Sequence, residues 1–304
     1  MKLNVNYDVV IIGAGPGGMS AAMYLKRAGI TPLIIESGAP GGTLNKTHKI
    51  ENYPGYTDGD GTTLAFRMYS QTQNLDIPFK IEKVIDIKKE NDCYDIITNN
   101  GSYKAKFILI ATGRVPRKLE AKDADKFEGK GISYCATCDG VLYKNKNVAI
   151  VGGGNSAMEA ASYMSGLANK VFIINRSPVL RADKKEQEEV LKNKNVEVIF
   201  DDKINEVIGN ETNVTAVKLN SRKKISVSAI FVCIGQDTNA AYYQNLDLET
   251  DSFGIMVNNN MKTSADGVYA CGDAISKNLY QVVTATSEGA IAATSIIKEI
   301  KNKG

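Results

Sequence analysis

Cysteine and histidine are scarce in this chain, five and one among 304 residues. A structural zinc centre draws about four thiolate or imidazole ligands, usually as two close pairs. Only one close pair exists here, Cys135 and Cys138 in the stretch Tyr134 to Gly140, YCATCDG. Cys93, Cys233 and Cys271 form no second pair, although distant single cysteines could converge in space. So sparse a set also makes a poor disulfide framework, and nothing at the N-terminus resembles a secretion signal. The expected compartment is the reducing cytosol, where a disulfide that forms at all is usually transient. The Cys135–Cys138 pair therefore points to redox work, provided the rest of the chain can hold a redox cofactor.

Long apolar runs are missing as well. The longest are strand-sized, such as FILIA at Phe107 to Ala111, far short of a membrane span, so no transmembrane segment is expected. Nor is there an excess of charge: 37 basic and 34 acidic residues leave a net +3, with lysines spread along the chain and no electrostatic footprint for nucleic acid. What remains is an ordinary soluble composition, 43% apolar and 23% charged, long enough for two domains with sizeable cores.

Glycine is where the pattern becomes specific. From Tyr7 to Ser37 the chain reads YDVVIIGAGPGGMSAAMYLKRAGITPLIIES: an apolar strand, the turn Gly13, Gly15, Pro16, Gly17 and Gly18, a helical pattern, and a second strand ending at Glu36. This is a βαβ unit with the dinucleotide fingerprint, in which the glycines permit a tight turn, backbone approach to a pyrophosphate, and close helix–strand packing. The amides at the helix start face phosphate charge, and Glu36 is spaced to accept hydrogen bonds from an adenosine ribose.

A second unit, NVAIVGGGNSAMEAASYMSGLANKVFIINRS, repeats the first after a shift of 139 positions: Gly13 falls on Gly152, Gly15 on Gly154, Gly18 on Ala157, and Glu36 on Asn175. Asn155 and Ser156 open its helix. The ribose acid has become Asn175 followed by Arg176, and a guanidinium in place of a carboxylate suits a ribose that carries a phosphate. The plainer alternative is an exposed arginine after a strand. Two dinucleotide sites and one dithiol suggest a relay in which a nicotinamide gives hydride, a flavin accepts it, and a disulfide is reduced.

Taken together, these residues resemble the low-molecular-weight thioredoxin reductases of the pyridine nucleotide-disulfide oxidoreductase family, across essentially the whole chain. The resemblance is carried by the Gly13 turn, GGTLNKTHKIENYPGY from Gly41, ATG at Ala111, CATCD at Cys135, GGGNSA at Gly152, ACGDA at Ala270 and YQVVTATSEGAIAA at Tyr280. It implies an α/β fold with two Rossmann-like domains of three-layer ββα type, the FAD domain split by an inserted NADPH domain. The expected division is 1–114 with 245–304 for FAD, and 115–244 for NADPH and the cysteine pair. Beyond the glycine turn and Glu36, the flavin contacts it implies are Gly41, Gly42, Thr43, Leu44, Asn52, Ala111, Thr112, Gly113, Gly272, Asp273, Gln281 and Val282, with a helix starting near Gln281. The NADPH contacts it implies are Gly152, Gly154, Asn155, Ser156, Ala157, Arg176 and Arg181. Cys138 is expected to take electrons from the flavin, Cys135 to attack the protein substrate's disulfide, and Asp139 to donate or accept protons, unless Asp139 only caps a helix. The lone His48 falls in the expected flavin loop, and Cys233 and Cys271, in apolar strand contexts, read as core. Thioredoxin as partner, a homodimer and a cytoplasmic location complete the expectation.

Some positions depart from the family pattern. Its NADPH motif of histidine, two arginines, three variable residues and a further arginine reads here Asn175-Arg176-Ser177-Pro178-Val179-Leu180-Arg181, so two of three basic anchors remain. Thr43 stands for the usual glutamine, Tyr280 for a basic residue, and Gln236 and Thr238 also differ. The rival readings are a related flavoenzyme that uses NADH or ferredoxin as donor or a peroxiredoxin or glutaredoxin-like acceptor, and a non-enzymatic flavin redox sensor. The intact pair of nucleotide turns speaks against the last.

Overall fold

The computed structural model describes residues 6–47, 50, 52–57, 59–238 and 243–303. The chain forms two compact units, Met1–Val115 with Asp237–Gly304, and Pro116–Gln236.

In the first unit the runs Val9–Ile12, Leu33–Ile35 and Phe107–Ile110 contain no polar residue, as parallel strands covered on both faces require. They lie in one seven-stranded sheet, in the order Phe79–Ile81, Leu33–Glu36, Asn6–Ile12, Ser102–Ile110, Cys93–Thr98, Val84–Glu90. The first four strands run parallel, with Val10 opposite both Leu33 and Ile108. The last two add on antiparallel at the early half of Ser102–Ile110, while Val268–Ala270 pairs in parallel with its late half. Alternation of side chains then builds two cores. Val9, Ile11, Ile34 and Leu109 pack under the helices through Met19, Leu25, Ala292 and Ile296. Val10, Ile12, Leu33 and Ile108 pack against Ile87, Tyr94 and Ile96 of the antiparallel strands. The result is three layers: helices, parallel sheet, antiparallel strands.

The second unit repeats the scheme. Its main sheet has five strands, all parallel, in the order Val196–Ile199, Lys170–Ile174, Asn147–Val151, Ala229–Val232, Ile132–Ser133. Val148, Ile150, Ile173 and Phe231 face the helices through Met158, Ala161, Met164 and Val190. Ala149, Val151, Ile174 and Ile230 face a three-stranded antiparallel sheet, Ile204–Gly209, Val214–Leu219 and Lys224–Ser226, through Val207, Val217 and Ile225. The expected α/β fold of two three-layer Rossmann-like units is the observed one. Among the described residues no helix is long and apolar enough to cross a membrane, and no cluster of His, Cys, Asp or Glu could hold a metal ion.

Candidate active site

Both glycine turns sit at the carboxyl end of a central parallel strand, where open α/β sheets leave a crevice for ligands. Gly13 leaves the strand at φ +105°, and a Cβ there would lie 2.4 Å from the Ala111 carbonyl oxygen. That fixes the turn against Ala111 and Thr112. The helix Pro16–Arg27 starts at Gly15 with no side-chain cap, so its first amides are unanswered by protein. A Cβ on Gly15 would meet nothing within 4 Å, which leaves the space beside those amides open to a phosphate. Glu36 accepts the Ala14 amide at 2.8 Å and the Gly38 amide at 2.9 Å, which aims its carboxylate across the turn with lone pairs to spare.

The remaining expected flavin contacts gather in the same unit. Gly41 donates its amide to Ala14 O at 2.8 Å, bringing the 3₁₀ turn Gly42–Lys46, with exposed Thr43 and buried Leu44, beside the Gly13 turn. Asn52 donates to Gln281 Oε1 at 2.9 Å, just before the helix Val282–Lys303 begins. Gly272 and Asp273 follow the strand Val268–Ala270. Among the described residues the Thr112 hydroxyl is buried without a hydrogen-bond partner, as is Arg114 Nε in the same segment. Orphaned polar atoms, uncapped amides and an open glycine face fit a bound dinucleotide with a pyrophosphate. Tyr280, where the family tends to carry a basic residue, is flanked by cations from elsewhere: Arg114 stacks 4.2 Å from its ring centre and Lys277 lies 5.4 Å from it. His48 lies outside the described residues.

The second turn has the same construction. Gly152 is at φ +134°, and a Cβ there would lie 2.2 Å from Cys233 O, whereas Gly154 is open on its outer side. The helix Asn155–Ser165 again starts without a side-chain cap, with Ser156 exposed and Ala157 packed inward. Asn155 exchanges hydrogen bonds with Asp183, 3.0 Å each way, tying the turn to the helix Lys184–Leu191.

Asn175 does not present itself as a substitute ribose ligand. The residue is 5% exposed, and its side chain donates to the carbonyls of Ser177 at 2.8 Å and Val179 at 2.9 Å. The same loop is held from its other end, where the Arg181 and Ala182 amides both donate to Gly153 O. Asn175 thus braces the irregular segment that carries Arg176 and Arg181. Both arginines are exposed and neither side chain has a hydrogen-bond or ion-pair partner among the described residues.

Cys135 and Cys138 are joined as a disulfide, their Cα atoms 5.3 Å apart, on the short helix Ala136–Asp139. That helix follows the edge strand Ile132–Ser133, so the pair and the second glycine turn share the carboxyl end of one sheet, separated by the strand Ala229–Val232. Cys135 caps the helix: its sulfur accepts the Cys138 amide at 3.2 Å, an interaction that favours a thiolate there once the disulfide is reduced. Cys135 is half-buried and Cys138 exposed. Asp139 does not cap with its side chain; its Oδ2 accepts the Ser133 hydroxyl at 2.6 Å. The same hydroxyl accepts the Cys135 amide at 3.0 Å. Ser133, 6% exposed, therefore links the acid to the cysteine backbone. The sequence reading missed it, since a serine two residues before a cysteine carries no signal by itself.

Cys233 and Cys271 have no such setting. Burial first, and then Glu159, pushes the Cys233 thiol up to about 12. Burial, with Glu288 adding to it, raises fully buried Cys271 further, against a smaller opposing effect of Lys277. With iodoacetamide at pH 8 after mild reduction, Cys135 and Cys138 are expected to label and Cys233 and Cys271 to stay unmodified until the protein is unfolded, as read by peptide mass spectrometry.

The fold and the site define a class. The model of the pyridine nucleotide-disulphide oxidoreductase family matches residues 7–289, and the chain belongs to that family. Among its relatives, a thioredoxin reductase of Listeria monocytogenes is 36% identical over 303 residues, covering 97% of this chain and 95% of the relative. A thioredoxin reductase of Mycoplasmopsis pulmonis is 38% identical over 307 residues, covering 99% of this chain and all of the relative. The crystal structure of Lactococcus lactis thioredoxin reductase, in its FR conformation, superposes with a TM-score of 0.90 at 34% identity, covering 97% of this chain and 99% of that one.

Proposed function

We propose that the protein is an NADPH-dependent thioredoxin reductase. The observation that carries this reading is a redox-capable Cys135–Cys138 disulfide, with Asp139 and Ser133 beside it, at the carboxyl end of a dinucleotide-type sheet. In this reading the discontinuous unit holds FAD at the Gly13 turn, Glu36, Asn52, Thr112, Asp273 and Gln281, and the inserted unit holds NADPH at the Gly152 turn, Arg176 and Arg181. When bound, FAD supplies the two-electron chemistry that joins a hydride donor to a disulfide.

The chain's own part is thiol–disulfide exchange. Once reduced, Cys135 is the thiolate held by the Cys138 amide, and it attacks one sulfur of the acceptor's disulfide, breaking that bond as the mixed disulfide forms. The other acceptor sulfur leaves as a thiolate in that step; the Cys138 thiolate then attacks Cys135 sulfur, expelling the acceptor sulfur bonded to it and restoring the Cys135–Cys138 disulfide. Two protons end on the acceptor's thiols, and Asp139, oriented by Ser133, is the group placed to pass one of them. The net change is NADPH, a proton and a disulfide converted to NADP⁺ and a dithiol.

Thioredoxin is the proposed acceptor because the full-length relatives bear that name; a cytoplasmic homodimer follows from the same resemblance. NADPH is favoured over NADH by Arg176 and Arg181, and over ferredoxin by the intact second glycine turn. The test is steady-state reduction of thioredoxin disulfide by the FAD-loaded protein with NADPH, NADH and reduced ferredoxin as alternative donors. Turnover fastest with NADPH supports the reading, and turnover with ferredoxin alone would replace the donor.

A further inference from the structure

Glu288 is an acid on the helix Val282–Lys303, and its side chain is 13% exposed. Its partner Lys277, 2.8 Å away, is 10% exposed. A pair this enclosed loses much of its Coulombic gain to desolvation and is weak evidence for stability as such. Burial raises the Glu288 carboxyl above its usual range, with Lys277 pulling the other way. What the pair does hold is a turn. Glu288 Oε2 accepts both the Lys277 ammonium and the Gly272 amide, the latter at 2.9 Å. Lys277 Nζ lies 3.6 Å from Asp273 Oδ1 and also approaches Thr284 Oγ1 at 3.4 Å. Gly272 sits at φ +69°, in the left-handed region that glycine adopts freely, so its own backbone preference leaves the turn free to take other shapes and its contacts are what select this one. Asp273 keeps the greatest exposure of the three charged groups, 28%.

We propose that Lys277 and Glu288 form a buried clamp that sets the Gly272–Asp273 turn for the cofactor, which makes both of them positioning residues for FAD. This rests on the FAD reading of the first unit. Glu288 fixes the Gly272 peptide from the helix side, and Lys277 fixes the Asp273 carboxylate, so the acid meets the cofactor already oriented rather than being ordered by it. Lys277 lies outside the stretches that carry the family resemblance and Glu288 inside one of them, YQVVTATSEGAIAA, but the resemblance implies no FAD contact for either, and neither needs to touch FAD.

The test titrates FAD into FAD-stripped protein and reads the dissociation constant from quenching of flavin fluorescence, with urea unfolding of each apoprotein alongside. The variants are Lys277→Met, Glu288→Gln, their combination, and Lys277→Arg. A single change leaves a buried charge alone and can prevent folding; the double variant removes both charges at similar volume and carries the test in that case. The double variant is expected to raise the dissociation constant about tenfold or more, the equivalent of one charge-assisted contact, with the apoprotein's unfolding midpoint unchanged. Lys277→Arg is expected to bind FAD close to the unmodified level. Unmodified affinity in the double variant overturns the proposal, as does weaker binding that merely tracks an equal loss of apoprotein stability. Unmodified protein that binds no FAD would instead overturn the cofactor assignment, and the clamp's role with it.

Discussion

Cys135→Ser and Cys138→Ser are each expected to abolish thioredoxin reduction while NADPH still bleaches the bound flavin. The dithiol lies downstream of the flavin in the proposed relay, so removing either sulfur breaks only the last transfer. With Cys135 gone there is no nucleophile at the helix cap, where the Cys138 amide favours a thiolate. With Cys138 gone the mixed disulfide on Cys135 can form but has no resolving thiol, so Cys138→Ser should trap acceptor covalently, visible as a shifted band on a non-reducing gel. Stopped-flow flavin absorbance and a thioredoxin turnover assay on the same samples separate the two half-reactions. Disulfide turnover retained in either variant would remove the pair from the mechanism.

The second large effect is expected at the donor. In Arg176→Ala/Arg181→Ala the Michaelis constant for NADPH should rise on the order of a hundredfold, as loss of one to two charge-assisted phosphate contacts implies, while that for NADH changes little. The structure gives this prediction its selectivity. The two guanidinium groups are exposed and have no partner among the described residues, whereas the loop that carries them is braced by Asn175 and by Gly153 O, so truncating the arginines leaves the backbone in place. Because Ser177 replaces the middle arginine of the family motif, the NADPH preference of the unmodified protein should be smaller than in relatives with all three, and should shrink with added salt. Equal losses with both donors would show that the arginines do not read the phosphate.

Legibility in the sequence followed the range of the physics. The glycine turns could be read because each is demanded locally: Gly13 and Gly152 have φ values and neighbouring carbonyls that a side chain cannot share. The strand cores could be read because unbroken apolar runs mean parallel strands covered on both faces. The CxxC pair stood out through the poverty of other cysteines. Roles that depend on chain brought from a distance were hidden. Asn175 read as a lost ribose acid, and only the fold turns its amide toward the Ser177 and Val179 carbonyls as a loop brace. Ser133 gains meaning from the short helix that folds Asp139 back onto it. Tyr280 read as a missing cation, yet Arg114 and Lys277 bring two cations to its ring. Lys277 and Glu288 were invisible because a lysine in a loop and a glutamate in a helix usually mean solvated surface.

The central claim, that electrons pass from NADPH through one flavin to one disulfide, is most directly tested by anaerobic titration of the FAD-loaded protein with NADPH, following flavin absorbance and free thiols together. Flavin and disulfide are each two-electron couples, so the unmodified protein should take up about four electrons per chain and expose two new thiols. The Cys135→Ser/Cys138→Ser protein should take up about two, with the flavin fully bleached. Equal uptake by the two proteins, with no new thiols in the unmodified one, would contradict the account.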